Sequence, residues 1–144
     1  MKVAIGFDHA GVDLRAVVIE RIRAAGHEIV DFGTDSQASV DYPDHAHLVA
    51  RAVEDGEAAL GVLVCGTGLG MSYAANRHPG VRAAVCTDSY LAKMARLHND
   101  ANVLCLGARV IGAGVAADIL DAFFTTGFEG GRHARRVEKI ERIS

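Results

Sequence analysis

Residues 62–77 read VLVCGTGLGMSYAANR. A short apolar run ends in Cys65. Gly66, Gly68 and Gly70 then alternate with Thr67 and Leu69, and a helix-like stretch follows. An apolar run, a glycine turn and a helix start in immediate succession describe a strand feeding a helix. The same grammar recurs along the chain. Strand-like runs lie at 3–7, 28–32, 60–65, 82–86 and 102–106, rich in Val, Ile, Leu and Ala as parallel strands covered on both faces are. Helix-like segments fall at 12–25, 43–55, 70–77, 89–98 and 113–126. In the first, Leu14, Val17, Val18, Ile22 and Ala25 keep helical spacing, and Gly26 suits a C-cap. Strand–helix alternation predicts right-handed βαβ crossovers in an α/β, doubly wound parallel sheet. The longest loop-like stretch is 31–44. A basic segment, 132–143, follows Gly130 and Gly131 with no strand after it, and is expected to leave the domain body.

With 144 residues, 50% of them hydrophobic and 23% charged, the chain fits one globular domain over 1–144. Its net charge of −3 gives no reason to expect nucleic acid or an anionic membrane as partner. No apolar run is long enough to span a bilayer, and no signal-peptide pattern precedes the first strand, so a cytoplasmic location is expected. Cys65, Cys86 and Cys105 are odd in number and widely spaced. That pattern argues for reduced thiols rather than a disulfide framework or a zinc ribbon.

In an open α/β sheet, ligands bind beyond the carboxyl ends of the strands. Those ends carry Asp8 and His9, the 65–70 turn, Thr87 and Asp88, and Gly107 to Arg109. Two readings compete for the turn. As a dinucleotide fingerprint it has glycines at 66, 68 and 70, but Met71 fills the third position of GxGxxG. The first turn, GFDHAG, places a charge and an imidazole where a phosphate would have to approach. As an anion hole, a helix starting here aims backbone N–H groups at the turn, and glycines let a small ligand come close. Cys65 beside such donors can take a proton from carbon while they hold the resulting enediolate oxygen. An inert buried thiol is the plain alternative for Cys65, and the expected state of Cys86 and Cys105.

The seven histidines divide in the same way. His45 and His47 read as surface residues of a helix rather than metal ligands, and His27 and His78 as solvated turn residues. His9 adjoins Asp8, which can fix its tautomer. His98 lies in RLHNDAN, just before the fifth strand. If its helix runs antiparallel to the strands, His98 sits at the far end of its own domain. It then reaches a site at the carboxyl edge only across a subunit interface or on a loop that folds back. Arg132 and Arg136, spaced i, i+4, share a helix face and suit either a phosphate clamp or a solvated helix end.

Five motifs in order, GFDHAG, DYPDHA, VLVCGTGLGMSYAANR, HNDANVLCLGARV and FEGGRHARRVEKI, resemble the ribose-5-phosphate isomerase B family of sugar-phosphate isomerases, over essentially the whole chain. The resemblance implies a Rossmann-like α/β/α subunit that works as a homodimer or tetramer. Its sites are shared between subunits, through a C-terminal helix that reaches the partner, and it uses no metal and no organic cofactor. It implies Cys65 as the base between C1 and C2, and His98 as the proton donor for ring opening. It implies Asp8, His9 and Tyr42 at the sugar, and Gly66, Thr67, Gly68, Leu69 and Gly70 as the anion hole. Asn99 matches a substrate contact, and Arg109, Arg132 and Arg136 match phosphate ligands. One subgroup of the family carries a glutamate base at the position of Met71; here the cysteine route is the one implied. Phe7 and His45 depart from the family pattern, and Phe7 is expected to narrow the pocket. The expected reaction is interconversion of ribose 5-phosphate and ribulose 5-phosphate. Isomerisation of a six-carbon sugar phosphate, and a non-catalytic nucleotide-binding domain, are the alternatives.

Overall fold

The structure is a computed structural model that describes residues 1–142. Five parallel strands, β1 (Lys2–Phe7), β2 (Glu28–Asp31), β3 (Leu60–Cys65), β4 (Ala83–Val85) and β5 (Val103–Gly107), form one sheet in the order β2-β1-β3-β5-β4. Six helices accompany them: α1 (Arg15–Ala24), α2 (Tyr42–Glu54), α3 (Leu69–Ala75), α4 (Ser89–Asn99), α5 (Ala113–Thr125) and α6 (Arg132–Glu141). The expected doubly wound architecture is present. The strand order adds something that periodicity could not supply: β5 returns between β3 and the edge strand β4.

Side chains on a strand alternate between faces. Val3, Ile5, Phe7, Val62, Val64, Leu104 and Leu106 therefore pack on one side, against α1, α4 and α5. Ala4, Leu63, Cys65, Val103 and Cys105 pack on the other, with Ala46, Val49 and Ala50 of α2 and Met71 and Ala75 of α3. Each large side chain buried this way contributes roughly 1.5–3 kcal/mol. The central strands are hydrophobic on both faces because both faces are covered.

The helix after β1 packs on the first face and carries the chain to β2. The helix after β3 packs on the second and carries it toward β4. Neighbouring strands whose helices leave in opposite directions open a crevice at their carboxyl ends. Here that crevice lies between Asp8 and Cys65, and the Asp8 N–H donates to the Val64 carbonyl at 3.1 Å across it.

Several expectations change on contact with the tertiary structure. Phe7 is fully buried, with Gly33 against its ring, so it props the 31–34 turn from below instead of narrowing a pocket. The basic C-terminal segment does not leave the body. α6 packs on α4, and Glu141 bonds Arg82 and the Gly80 N–H. The expected end of that segment, Ile143, lies outside the described residues. His78 is held between His47, at 2.7 Å, and Glu54, at 3.2 Å, because α2 and α3 pack together. His45 Nδ1 donates to the Phe32 carbonyl, 2.7 Å away. His27 sits edge-on to Phe124 with its Nδ1 buried and unpartnered.

His27 and His133, on α6, both have pKa values lowered from 6.5. For each the first cause is burial, which disfavours the charged ring. A group depressed in the folded state stabilises it fully above the unfolded value and loses that contribution as pH falls. The melting temperature is expected to fall as pH drops from about 6.5 toward about 5, with no comparable fall between about 8 and 6.5. Calorimetric scans across that range check it; a melting temperature that rises on acidification contradicts it.

Candidate active site

The glycine turn is built around the cysteine. The Gly68 N–H donates to Cys65 Sγ at 3.1 Å. Gly68 takes φ 83° as the cap residue before α3, a left-handed conformation that glycine adopts without Cβ strain. Cys65 is buried at the last position of β3, and its side chain points to the face that α3 covers. Its carbonyl accepts the Ala108 N–H at 2.9 Å, and Gly66 accepts from Arg109 N–H at 3.0 Å. The turns after β3 and β5 are thereby locked together. A methyl group on Gly107 would come within 2.7 Å of the Thr67 backbone, so the two turns meet with no room for a side chain.

Around this turn the fold gathers most of the expected site. The Arg109 side chain lies beside Gly66. The Tyr42 ring lies against Gly70, so that a Cβ there would stand 2.6 Å from Tyr42 Cζ. Thr67 is exposed, and its hydroxyl accepts the Leu69 N–H at 3.3 Å. Leu69 is exposed at the lip, while Met71 is fully buried in the core and contributes no group to the surface. Asp8 is buried and accepts the Gly11 N–H at 2.9 Å, which ties down the turn that carries His9. His9 Nδ1 accepts the Val40 N–H at 3.2 Å, so neutral His9 carries its proton on Nε2. That bond also moors the 32–41 loop over the crevice.

The other four residues of the expected site are elsewhere. His98 and Asn99 end α4, and Asp100 turns the chain into β5 with a left-handed φ of 49°. α4 thus finishes at the amino end of β5, whereas Cys65 pairs with Gly107 at its carboxyl end. Five residues of strand separate the two levels by about 17 Å. Arg132 and Arg136 are exposed on the first two turns of α6, which packs on α4 at the His98 end. A cavity of about 740 Å³ opens at this same level, between the ends of α3, α4 and α6, with Asn99 and Ile140 in its wall. The expected site residues therefore fall into two groups at opposite ends of the sheet.

Two residues near His98 escaped the sequence reading. His133 is buried against it, and Glu129 lies within 3.9 Å of both rings. Their i, i+4 spacing was the available signal, masked by the basic residues around them.

The remaining cysteines differ from Cys65 in their surroundings. Burial, assisted by Asp88, pushes the Cys86 thiol up to about 11, and full burial pushes Cys105 well above its ordinary range. Neither has a backbone N–H aimed at its sulfur among the hydrogen bonds of the described residues. Limited alkylation near pH 7.5 is expected to consume Cys65 first and to leave Cys86 and Cys105 as thiols, since the thiolate is the reactive form (~pH 7.5 lies far below either). Peptide mass spectrometry reads this directly; equal labelling of Cys86 contradicts it.

The chain is 46% identical over 142 residues to ribose-5-phosphate isomerase B of Escherichia coli K12, covering 99% of this chain and 95% of that protein. It is 43% identical over 141 residues to D-erythrulose-4-phosphate isomerase of Pectobacterium atrosepticum, covering 97% and 93%. The solved structure of Clostridium thermocellum ribose-5-phosphate isomerase B has a TM-score of 0.95 to it at 53% identity, covering 98% of this chain and 95% of that one. The family model described as Ribose/Galactose Isomerase matches residues 3–140. On these matches, which run the length of the sheet and of all six helices, the chain belongs to the Ribose/Galactose Isomerase family.

Proposed function

We propose that the protein is an aldose–ketose isomerase that interconverts ribose 5-phosphate and ribulose 5-phosphate, with Cys65 as the base. The observation that carries this reading is the cysteine sulfur held at the mouth of a glycine turn, 3.1 Å from the Gly68 N–H. The Cys65 thiolate takes the C2 proton of the open-chain aldose. The C2–H pair moves into the C1–C2 bond, and the carbonyl pair moves onto O1. N–H groups of residues 66–70 receive that charge. The O2 proton is then lost as the O–H pair forms the C2 carbonyl. C1 takes the proton back from Cys65, and O1 regains one. No redox partner is needed, since C1 is reduced as C2 is oxidised.

The sugar arrives largely as a ring. In the proposed reaction His98 gives a proton to the ring oxygen as the C1–O4 bond breaks, and the C1 hydroxyl releases its own proton to water. Because His98 lies a strand length from Cys65, we assign this step to the His98 of a second copy in a homodimer. On the same ground Asn99, Arg132 and Arg136 serve the neighbour's site. There the arginines meet the phosphate, together with Arg109 of the chain that supplies Cys65. Asp8, His9 and Tyr42 line the sugar. The relative that acts on a four-carbon phosphate, at nearly the same identity, keeps a different chain length open as a second reading.

Cys65→Ala is expected to lower ribose 5-phosphate turnover on the order of a hundredfold or more while leaving the melting temperature nearly unchanged. Cys86→Ala and Cys105→Ala are expected to keep turnover within a few-fold. A coupled assay for ribulose 5-phosphate measures all three. Near-normal turnover in Cys65→Ala returns the thiol to the role of a packed core residue.

A further inference from the structure

The proposed reaction uses His98 but gives no part to the histidine behind it. The rings of His98 and His133 stack, with centroids 4.3 Å apart and planes 10° apart. His133 is only 6% exposed, and its Nε2 is buried with no hydrogen-bond partner. Glu129 spans the edge of the stack. One carboxylate oxygen lies 3.8 Å from His98 Nε2, the other 3.9 Å from His133 Nε2. The Glu129 backbone N–H donates to the Leu97 carbonyl at 2.9 Å, which anchors the carboxylate beside α4. The other charged groups around the stack are Arg132 and Arg136 on α6, and Arg96 of α4, which Asp100 holds at 2.9 Å.

These three side chains bring candidate ligand atoms within 4.8 Å of one another. A cation site is nonetheless a poor description of them. The lone pair of an imidazole nitrogen lies in the ring plane, and two nearly parallel planes do not converge on one ion at a bonding distance of about 2.1 Å. A stack of one neutral and one working ring describes them better. Burial, with His98 alongside, lowers the affinity of His133 for a proton, against the opposing pull of Glu129. A neutral ring can lie flat on His98 without like-charge repulsion.

We infer that His133 and Glu129 are positioning residues for His98: the stacked ring fixes its plane and the carboxylate fixes its rotation, so it meets the partner's substrate in one orientation. This rests on His98 being the ring-opening donor proposed above. The pair belongs to the ring-opening half of the reaction alone, and that makes it testable. Ribulose 5-phosphate has its terminal oxygen blocked by phosphate and cannot close a five-membered ring. Deuterium uptake at its C1 in heavy water therefore reads proton transfer at Cys65, without ring opening. Conversion of ribose 5-phosphate reads both steps.

In the full-length protein, His133→Ala and Glu129→Gln are expected to slow ribose 5-phosphate conversion about tenfold or more, because a misplaced donor forfeits orientation, with deuterium uptake held within about threefold. His133→Phe, a flat ring without nitrogen, is expected to restore most of what His133→Ala loses. Parallel loss of both readouts would overturn the inference, since a merely structural role does that. Undiminished conversion in His133→Ala, or no recovery in His133→Phe, would overturn it too. Wild-type protein that takes up no deuterium would sink the Cys65 reaction first and this inference with it. The two failures are thereby told apart.

Discussion

The contact on which the rest depends is the locked pair of turns at the ends of β3 and β5. The chain must reverse immediately after Cys65, and it does so because Gly68 accepts a left-handed φ and Gly107 leaves the Thr67 backbone room to pass. The reversal swings the Gly68 N–H back onto Cys65 Sγ and brings Arg109 beside Gly66. One local geometry thus places a thiol, a donor and a cation together. The sheet contributes rigidity, since both strands are buried on both faces. A residue at the end of such a strand is held far more tightly than one on a free loop.

The same topology separates His98 from Cys65. A helix that follows β4 and leads into β5 must run antiparallel to the strands, so its last residues finish at their amino ends. His98 and Asn99 are therefore carried away from Cys65 by the mechanics of the βαβ crossover. α6 then packs on α4 and places Arg132 and Arg136 at that distant level. The arrangement becomes economical if two copies meet with a two-fold axis, because each chain's surplus end supplies what the other's crevice is missing.

Much of this was legible in the residues. The strand runs, the glycine turn and the alternation of elements follow from local apolar patterning, and the helix bounds, the start of α1 apart, fall within one or two residues of those expected. Cys65 was marked out from Cys86 and Cys105 by the glycines that follow it, and the structure separates them on the same ground. What the sequence could not show depends on contacts between distant segments. The place of β5 inside β4 is decided by crossover packing, not by composition. Phe7 looked like a pocket residue because it adjoins Asp8 and His9, but the strand period sends it to the opposite side, under Gly33. His27 and His78 looked like solvated turn residues, and each is held by a neighbour far away in the chain. The 132–143 segment read as a free tail because nothing in its own sequence ties it down; packing on α4 and the Arg82–Glu141 pair do so.

The central claim is that one chain's Cys65 works with another chain's His98. It is tested most directly by mixing two inactive proteins, Cys65→Ala and His98→Asn, in equal amounts and letting subunits exchange, with mass spectrometry to verify the exchange. Half of randomly paired dimers are mixed, and in each mixed dimer one site holds both defects while the other holds neither. Activity is therefore expected to rise to about a quarter of wild type. If exchange is complete and activity stays at the level of the parent variants, Cys65 and His98 do not act together across an interface, and the shared site is contradicted.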